Sequence, residues 1–333
     1  MAKIAVMGAG SWGTTFAKIL ADAGNEVTIW ARRDDLVEEI NDDHRNGDYL
    51  PGIKLPKSLR ANSDAAAVLA DAEQVYLAVP SQSLRSNLQT WGSSIPKDAI
   101  LVSLMKGVEK DTGLRMSEVI AQATEFPAAQ IVVVSGPNLA LEIANEEPAA
   151  SVAASSSKAS ALAVAKAASN SYFTTFTNGD VIGTEFGGIL KNLIAVAIGI
   201  VNGVGYGQNT KASIMTRGLA EISRFAVAYG AKPSTMVGLA GLGDLIATAE
   251  SPLSRNHRAG EMLGKGYTKK EVLKRMSQTA EGLSSVAPVL NLAAEKGVSM
   301  PIVEQVNLVI EGKMNPRDIA PHLTHDTDQP QGE

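Results

Sequence analysis

The chain has no cysteine among its 333 residues. No disulfide can form, and this fits a reducing, cytoplasmic location. It has no basic run longer than Arg32-Arg33 or Lys269-Lys270, and 30 Lys and Arg against 35 Asp and Glu leave a net charge of -5. Nucleic acid is therefore not expected as a partner. Its longest apolar runs are broken by Gly, Asn or Lys, although 45% of the residues are hydrophobic and 20% charged, so no membrane span is expected. The opening MAKIAVMG enters a strand pattern at once and leaves no room for the regions of a signal peptide. What is present is an ordinary globular composition, with length for about two domains.

Up to about residue 180, short β-branched runs alternate with helical stretches, the pattern of a parallel sheet covered on both faces. The candidate strands are KIAVM, EVTIW, QVYLAV, AILVSL, IVVV, SVAAS and YFTTFT. The early strands end in turn residues, as at Pro80 and Gly136-Pro137, where an open α/β sheet binds its ligand. After Asn178-Gly179-Asp180 the remainder reads as helices parted by Gly and Pro. The expected organisation is α/β: an N-terminal Rossmann-type doubly wound sheet over residues 1–180, an all-helical domain over 181–321, and a polar tail over 322–333.

Gly8, Gly10 and Gly13 form GAGSWG between the strand KIAVM and a helical pattern carried by Phe16, Ile19, Leu20 and Ala23. Gly8 permits a tight turn, Gly10 lets the backbone approach a pyrophosphate, and Gly13 lets helix and strand pack closely. The helix N-terminus adds free N–H groups and a partial positive charge, so a dinucleotide is expected here. After EVTIW, the place of a ribose-binding acid is taken by Ala31, Arg32 and Arg33. Two guanidiniums there suit the 2′-phosphate of NADP, whereas a solvated pair neutralised by Asp34 and Asp35 would leave NAD usable as well. NADP is favoured over NAD.

Lys191 is a lone ammonium within FGGILKNLIAVAIGIV. Buried without a partner, it would lose its proton more readily than in water and could act as a base; alternatively its stem follows an apolar face and its head reaches solvent. Lys106 follows the strand AILVSL and offers a second cation to stabilise an alkoxide-like oxygen, or else a surface lysine paired with Glu109. Asp244, after three glycines in GLAGLGDL, either orients Lys191 or caps a helix. Arg255 and Asn256 in SPLSRNHRAG present donors suited to a small anion, a phosphate first of all, or simply open a helix. No metal ligand set stands out.

These residues, with AVPSQ, MKGVE, SGPNLALEIA, EFGGILKNLIAVAIGI, NTKASIMTRGLAEISRFAVAYGA, SRNHRAG and AEGL in order along nearly the whole chain, resemble the bacterial NAD(P)-dependent sn-glycerol-3-phosphate dehydrogenase family. The resemblance implies reversible reduction of dihydroxyacetone phosphate to sn-glycerol 3-phosphate, feeding phospholipid synthesis, and commonly a homodimer. It implies Lys191 as proton acceptor, with Lys106, Asp244, Ser254, Arg255 and Asn256 around the substrate. Ser11, Trp12, Arg255 and Glu281 would face the cofactor, as would Lys106. It also brings in Gly136, Asn138 and Ala140, where Asn138 stands at a position often Ser or Thr in the family. The nicotinamide is expected between the two domains. Two other readings remain at this stage: a related dehydrogenase acting on a carboxylate such as ketopantoate, and a non-catalytic NAD(P)H sensor.

Overall fold

The computed structural model describes residues 1–276 and 280–320. The expected tail, 322–333, lies outside the described residues. The chain divides into two compact units between Glu185 and Phe186.

The first unit is an eight-stranded sheet: β1 (Lys3–Met7), β2 (Glu26–Trp30), β3 (Arg60–Asn62), β4 (Gln74–Leu77), β5 (Ile100–Ser103), β6 (Ile131–Ser135), β7 (Ala149–Ala154) and β8 (Phe173–Asn178). They lie in the order β3-β2-β1-β4-β5-β6-β7-β8, so the topological switch falls between β1 and β4. Around it run α1 (Ser11–Asp22), α2 (Asp34–Glu38), α3 (Ala65–Leu69), α4 (Leu84–Trp91), α5 (Met116–Thr124), α6 (Ala140–Ala144) and α7 (Lys158–Ala167). The central strands β1, β4, β5 and β6 are buried on both faces. Ile4 and Val6 of β1 join Phe16, Ile19, Leu20 and Val164 in one core, while Ala5 and Met7, pointing the other way, join Leu84, Leu88, Val119 and Ile120 in another. Each large side chain fully buried contributes roughly 1.5–3 kcal/mol.

Two features depart from the expected parallel, seven-stranded sheet. β7 pairs antiparallel with β6, and β8 then runs parallel to β7. The connection from β6 to β7, residues 136–148, carries the five-residue α6 and does not cross back over the sheet. The chain therefore re-enters the sheet at the end it left. The longer α7, with ten residues, does span the sheet and makes β8 parallel to β7. The additional strand β3 has three residues and pairs with β2 alone, too short and too polar to show an alternating pattern.

The second unit is helical. α8 (Val181–Val204) begins in the first unit and continues into it, followed by α9 (Gln208–Ala228), α10 (Pro233–Met236), α11 (Asp244–Glu250), α12 (Arg255–Gly264), α13 (Lys269–Arg275), α14 (Glu281–Glu295) and α15 (Pro301–Ile310). By length and composition α8 could cross a bilayer, contrary to the reading of its interruptions, but 83% of its most apolar window is buried within the protein. It is the core helix. Close approach is achieved by removing side chains: a Cβ on Gly199 or Gly203 of α8 would lie 2.1 or 2.2 Å from carbonyl oxygens of His257 or Glu261 in α12. One on Gly187 would lie 2.3 Å from Ala240 O, just before α11. These contacts press α11 and α12 against α8. Phe186, Phe225 and Tyr229 pack mutually beside them with centroids 5.0–5.2 Å apart.

Candidate functional site

In the first unit, the glycine turn sits where β1 meets β4. Gly8 has φ +126°, and a Cβ there would meet Ala78 O at 2.7 Å; a Cβ on Gly13 would meet Gly8 O at 2.0 Å. Both glycines are required by the protein's own backbone. Gly10 differs, because nothing lies within 4 Å of where its Cβ would be. Its lack of a side chain serves a group arriving from outside, as a pyrophosphate would at the start of α1. Ser11 Oγ donates to Tyr49 O at 2.9 Å, and Trp12 packs edge-on against Phe16 with centroids 5.3 Å apart.

Beyond β2, Arg32 is exposed and has no ion pair among the described residues. Arg33 is also exposed but bonded to Asp48, with Asp35 at 3.6 Å, and the Asp48 hydrogen bond holds its guanidinium above its usual range. The neutralised-pair alternative thus describes Arg33, with Asp48 rather than Asp34 as the additional acid.

The loops after β5 and β6 bring together Lys106, Gly136 and Asn138. Lys106 Nζ donates to Gly136 O at 3.1 Å. The alternative partner Glu109 is held instead by Arg85 through two 2.8 Å hydrogen bonds and by Thr112. Those bonds lower the Glu109 pKa, the Arg85 hydrogen bond most of all. Gly136 takes φ +152°, and Asn138 Nδ2 donates to Ser151 Oγ at 3.3 Å. Asn138 Oδ1 is buried without a hydrogen-bond partner among the described residues. A buried acceptor of that kind costs about 1–3 kcal/mol, and a ligand hydroxyl or amide would satisfy it. Ala140 opens α6, and its carbonyl accepts from Thr15 Oγ1 of α1 at 3.2 Å.

In the second unit, Lys191 is 6% exposed and its amine points neither to solvent nor into apolar emptiness. Nζ lies 2.9 Å from Asp244 Oδ1 and donates to Thr248 Oγ1 at 2.6 Å, while Thr248 Oγ1 donates to Asp244 Oδ1 at 3.2 Å. The expectation of an unpaired amine deprotonated by burial alone is overturned. The amine is instead held in a buried site by one carboxylate and one hydroxyl. Asp244 makes no cap: with φ -69° and ψ -32° it continues the helical path from the π-type turn Leu239–Gly243 into α11. Gly187 of α8 lets that turn come close, since a Cβ there would strike Ala240 O, while Gly241 of the turn clears Met236 O; the carboxylate is thereby set beside Lys191.

Ser254 caps α12, its hydroxyl accepting from His257 N at 3.2 Å. Arg255 is exposed at the first position of the helix, and Asn256 is buried. Asn256 Nδ2 donates to Asn192 Oδ1 at 2.7 Å, and its Oδ1 accepts from Gly282 N at 2.9 Å, tying α12 to α8 and α14. Asn256 is thus a brace first, with Arg255 beside it as the charged group. Glu281 opens α14 next to Gly282.

The chain matches the models for the N-terminus of NAD-dependent glycerol-3-phosphate dehydrogenase over residues 3–161 and for its C-terminus over residues 180–321. It is 64% identical to glycerol-3-phosphate dehydrogenase [NAD(P)+] of Leifsonia xyli, covering 98% of this chain and 89% of that protein. It is 55% identical to the Streptomyces griseus protein of the same name, covering 93% of each. Among solved structures, glycerol-3-phosphate dehydrogenase from Coxiella burnetii aligns with TM-score 0.90 at 34% identity, over 97% of this chain and 98% of that one. The chain belongs to the NAD-dependent glycerol-3-phosphate dehydrogenase family.

As a member of the glycerol-3-phosphate dehydrogenase family, the chain has side chains at its two clusters that reasoning from sequence passed over. Thr248 is one turn past Asp244, the i,i+4 spacing that sets two side chains on one helix face, and that spacing was the available signal. Asn192 follows Lys191 directly but points elsewhere, to Asn256. Tyr49 and Asn46 reach the glycine turn from a loop far along the chain, and no local pattern marks them.

Proposed function

We propose that this chain is an oxidoreductase that interconverts dihydroxyacetone phosphate and sn-glycerol 3-phosphate by hydride transfer with NADP or NAD, NADP being favoured. It would thereby supply glycerol phosphate for phospholipid synthesis. The observation that carries the reading is the buried Lys191–Asp244–Thr248 cluster, an amine held by a carboxylate and a hydroxyl inside an apolar core, in a chain of this family. When bound, the nicotinamide supplies or receives the hydride at the carbon bearing the oxygen. Lys191 gives a proton to that oxygen as the carbonyl is reduced and takes it back from the hydroxyl in the reverse direction. Asp244 holds the amine in place, and Thr248 fixes its direction.

Lys106 supplies the second cation toward the developing negative oxygen, with Gly136 and Asn138 alongside. Arg255 takes the substrate phosphate, supported by Ser254 and Asn256; anchoring that remote group lowers the entropic part of the barrier. Gly8, Gly10 and Gly13 with Ser11 and Trp12 receive the dinucleotide, Arg32 its 2′-phosphate with the acid-paired Arg33 beside it, and Ala140, Arg255 and Glu281 complete the contacts. Open space at Gly10 and the orphaned acceptor of Asn138 fit such a ligand. Residues 1–180 thus supply most of the cofactor contacts, and 181–321 the proton donor and the phosphate anchor, in a cytoplasmic enzyme working as a homodimer.

Initial rates of NADPH and NADH oxidation with dihydroxyacetone phosphate test the proposal, with ketopantoate as the control carbonyl. Oxidation dependent on dihydroxyacetone phosphate is expected. Turnover of ketopantoate alone, or tight NADPH binding with no turnover of either, would overturn it.

A further inference from the structure

The glycine turn is supported from beneath by a side chain that no part of the mechanism uses. Asn46 is completely buried, between the π-type turn Glu39–Asp43 and β3. Its Nδ2 donates to Ala9 O at 3.0 Å and to Thr14 Oγ1 at 2.8 Å. One amide group thus grips both sides of the turn, the Ala9–Gly10 peptide and the first turn of α1. Its own backbone is fixed in turn, since Asn46 O accepts from Leu50 N at 2.8 Å and Tyr49 O accepts from Ser11 Oγ at 2.9 Å.

A trans peptide is planar, with its C=O and N–H on opposite sides. Ala9 C=O and Gly10 N–H belong to one such peptide. With the carbonyl drawn inward to Asn46, the Gly10 N–H is turned to the opposite side of that peptide, and Gly10 itself has open space where a side chain would be. Gly10 N–H has no hydrogen-bond partner among the described residues. We propose that Asn46 is a positioning residue for dinucleotide binding: it holds the Ala9–Gly10 peptide in the one orientation that offers the Gly10 N–H to a pyrophosphate oxygen. The inference rests on the reading of this turn as the pyrophosphate seat. It adds that the turn is preorganised by a residue outside the glycine motif, so the ligand need not order it.

Asn46→Leu keeps the branched shape, in a somewhat bulkier side chain, and removes both donors. In the full-length enzyme the KM for NADPH is expected to rise about tenfold, the effect of one well-made buried hydrogen bond. At saturating NADPH, kcat and the KM for dihydroxyacetone phosphate should stay within twofold of the parent. Inhibition by adenosine 2′-phosphate, which has no pyrophosphate, should be unchanged. An unchanged KM for NADPH overturns the proposal, and so does an equal weakening of NADPH and adenosine 2′-phosphate, the mark of a merely structural role. A parent enzyme that binds no dinucleotide would instead overturn the functional reading itself. Should Asn46→Leu not fold, amide exchange in the parent decides: Gly10 N–H is expected to exchange freely without NADPH and to be protected with it, and protection without NADPH overturns the proposal.

Discussion

Lys191 and Asp244 form an ion pair at 2.9 Å with side chains 8% and 1% exposed. Removing one member of so buried a pair leaves an uncompensated charge and costs about 3–5 kcal/mol, whereas removing both charges leaves none. At about 2–4 °C per kcal/mol for a unit of this size, Lys191→Met or Asp244→Asn should lower Tm by roughly 6–20 °C. The double variant Lys191→Met/Asp244→Asn should recover most of that loss. Calorimetry on the parent, the two single variants and the double closes a mutant cycle, with a coupling of at least about 2 kcal/mol expected. Activity should follow a different rule. Every variant lacking the amine loses the proton donor, for which general acid–base catalysis assigns a factor of about 10²–10⁴ in kcat. The double variant is therefore expected to be nearly as stable as the parent yet almost inactive. Losses in Tm that simply add in the double variant would refute the buried pair, and kcat of Lys191→Met within tenfold of the parent would refute the proton transfer.

The glycine turn separates two effects. Gly13→Ala should destabilise the fold, because its Cβ has Gly8 O at 2.0 Å, while Gly10→Ala should leave Tm within about 1 °C and weaken NADPH binding several-fold. Thermal melts and NADPH titration check both. Glu221 is buried and accepts from the N–H groups of Ile302 and Val303 at the start of α15, at 2.9 and 3.1 Å. Burial pushes its carboxyl up from 4.5 to about 7. Between those values the folded protein keeps a proton that the unfolded chain has released, so stability declines as pH rises from 4.5 to about 7, by on the order of 3 kcal/mol. Glu221→Gln should flatten that slope in urea melts at stepped pH; an unaltered slope would assign it to other groups. Arg32→Gln is expected to raise the KM for NADPH more than that for NADH, since Arg32, unlike Arg33, has no acid paired with it among the described residues. Equal changes in the two KM values would remove Arg32 from cofactor choice.

Much of this molecule could be read from local pattern, because local pattern reflects backbone requirements. GAGSWG between an apolar strand and an amphipathic helix can satisfy its own steric demands in few ways, and the structure places Gly8 and Gly13 where a Cβ would strike backbone or a neighbouring side chain. The end of strand signals near Asp180 likewise marks the start of α8, at Val181. What sequence left open depends on distance in space. Lys191 alone could be a bare buried amine or a solvated one; only the packing of α11 against α8, made possible by Gly187 and the turn at 239–243, supplies Asp244 and Thr248. The direction of β7, antiparallel to β6, was set by pairing across the sheet and carried no mark in the β-branched run itself. The hold of Asn46 on the glycine turn was decided by a loop some 30 residues further along. Periodicity and turn chemistry act through neighbours along the chain, whereas the environment of a buried charge is composed of whatever the fold brings against it, and that is known only when the chain has packed.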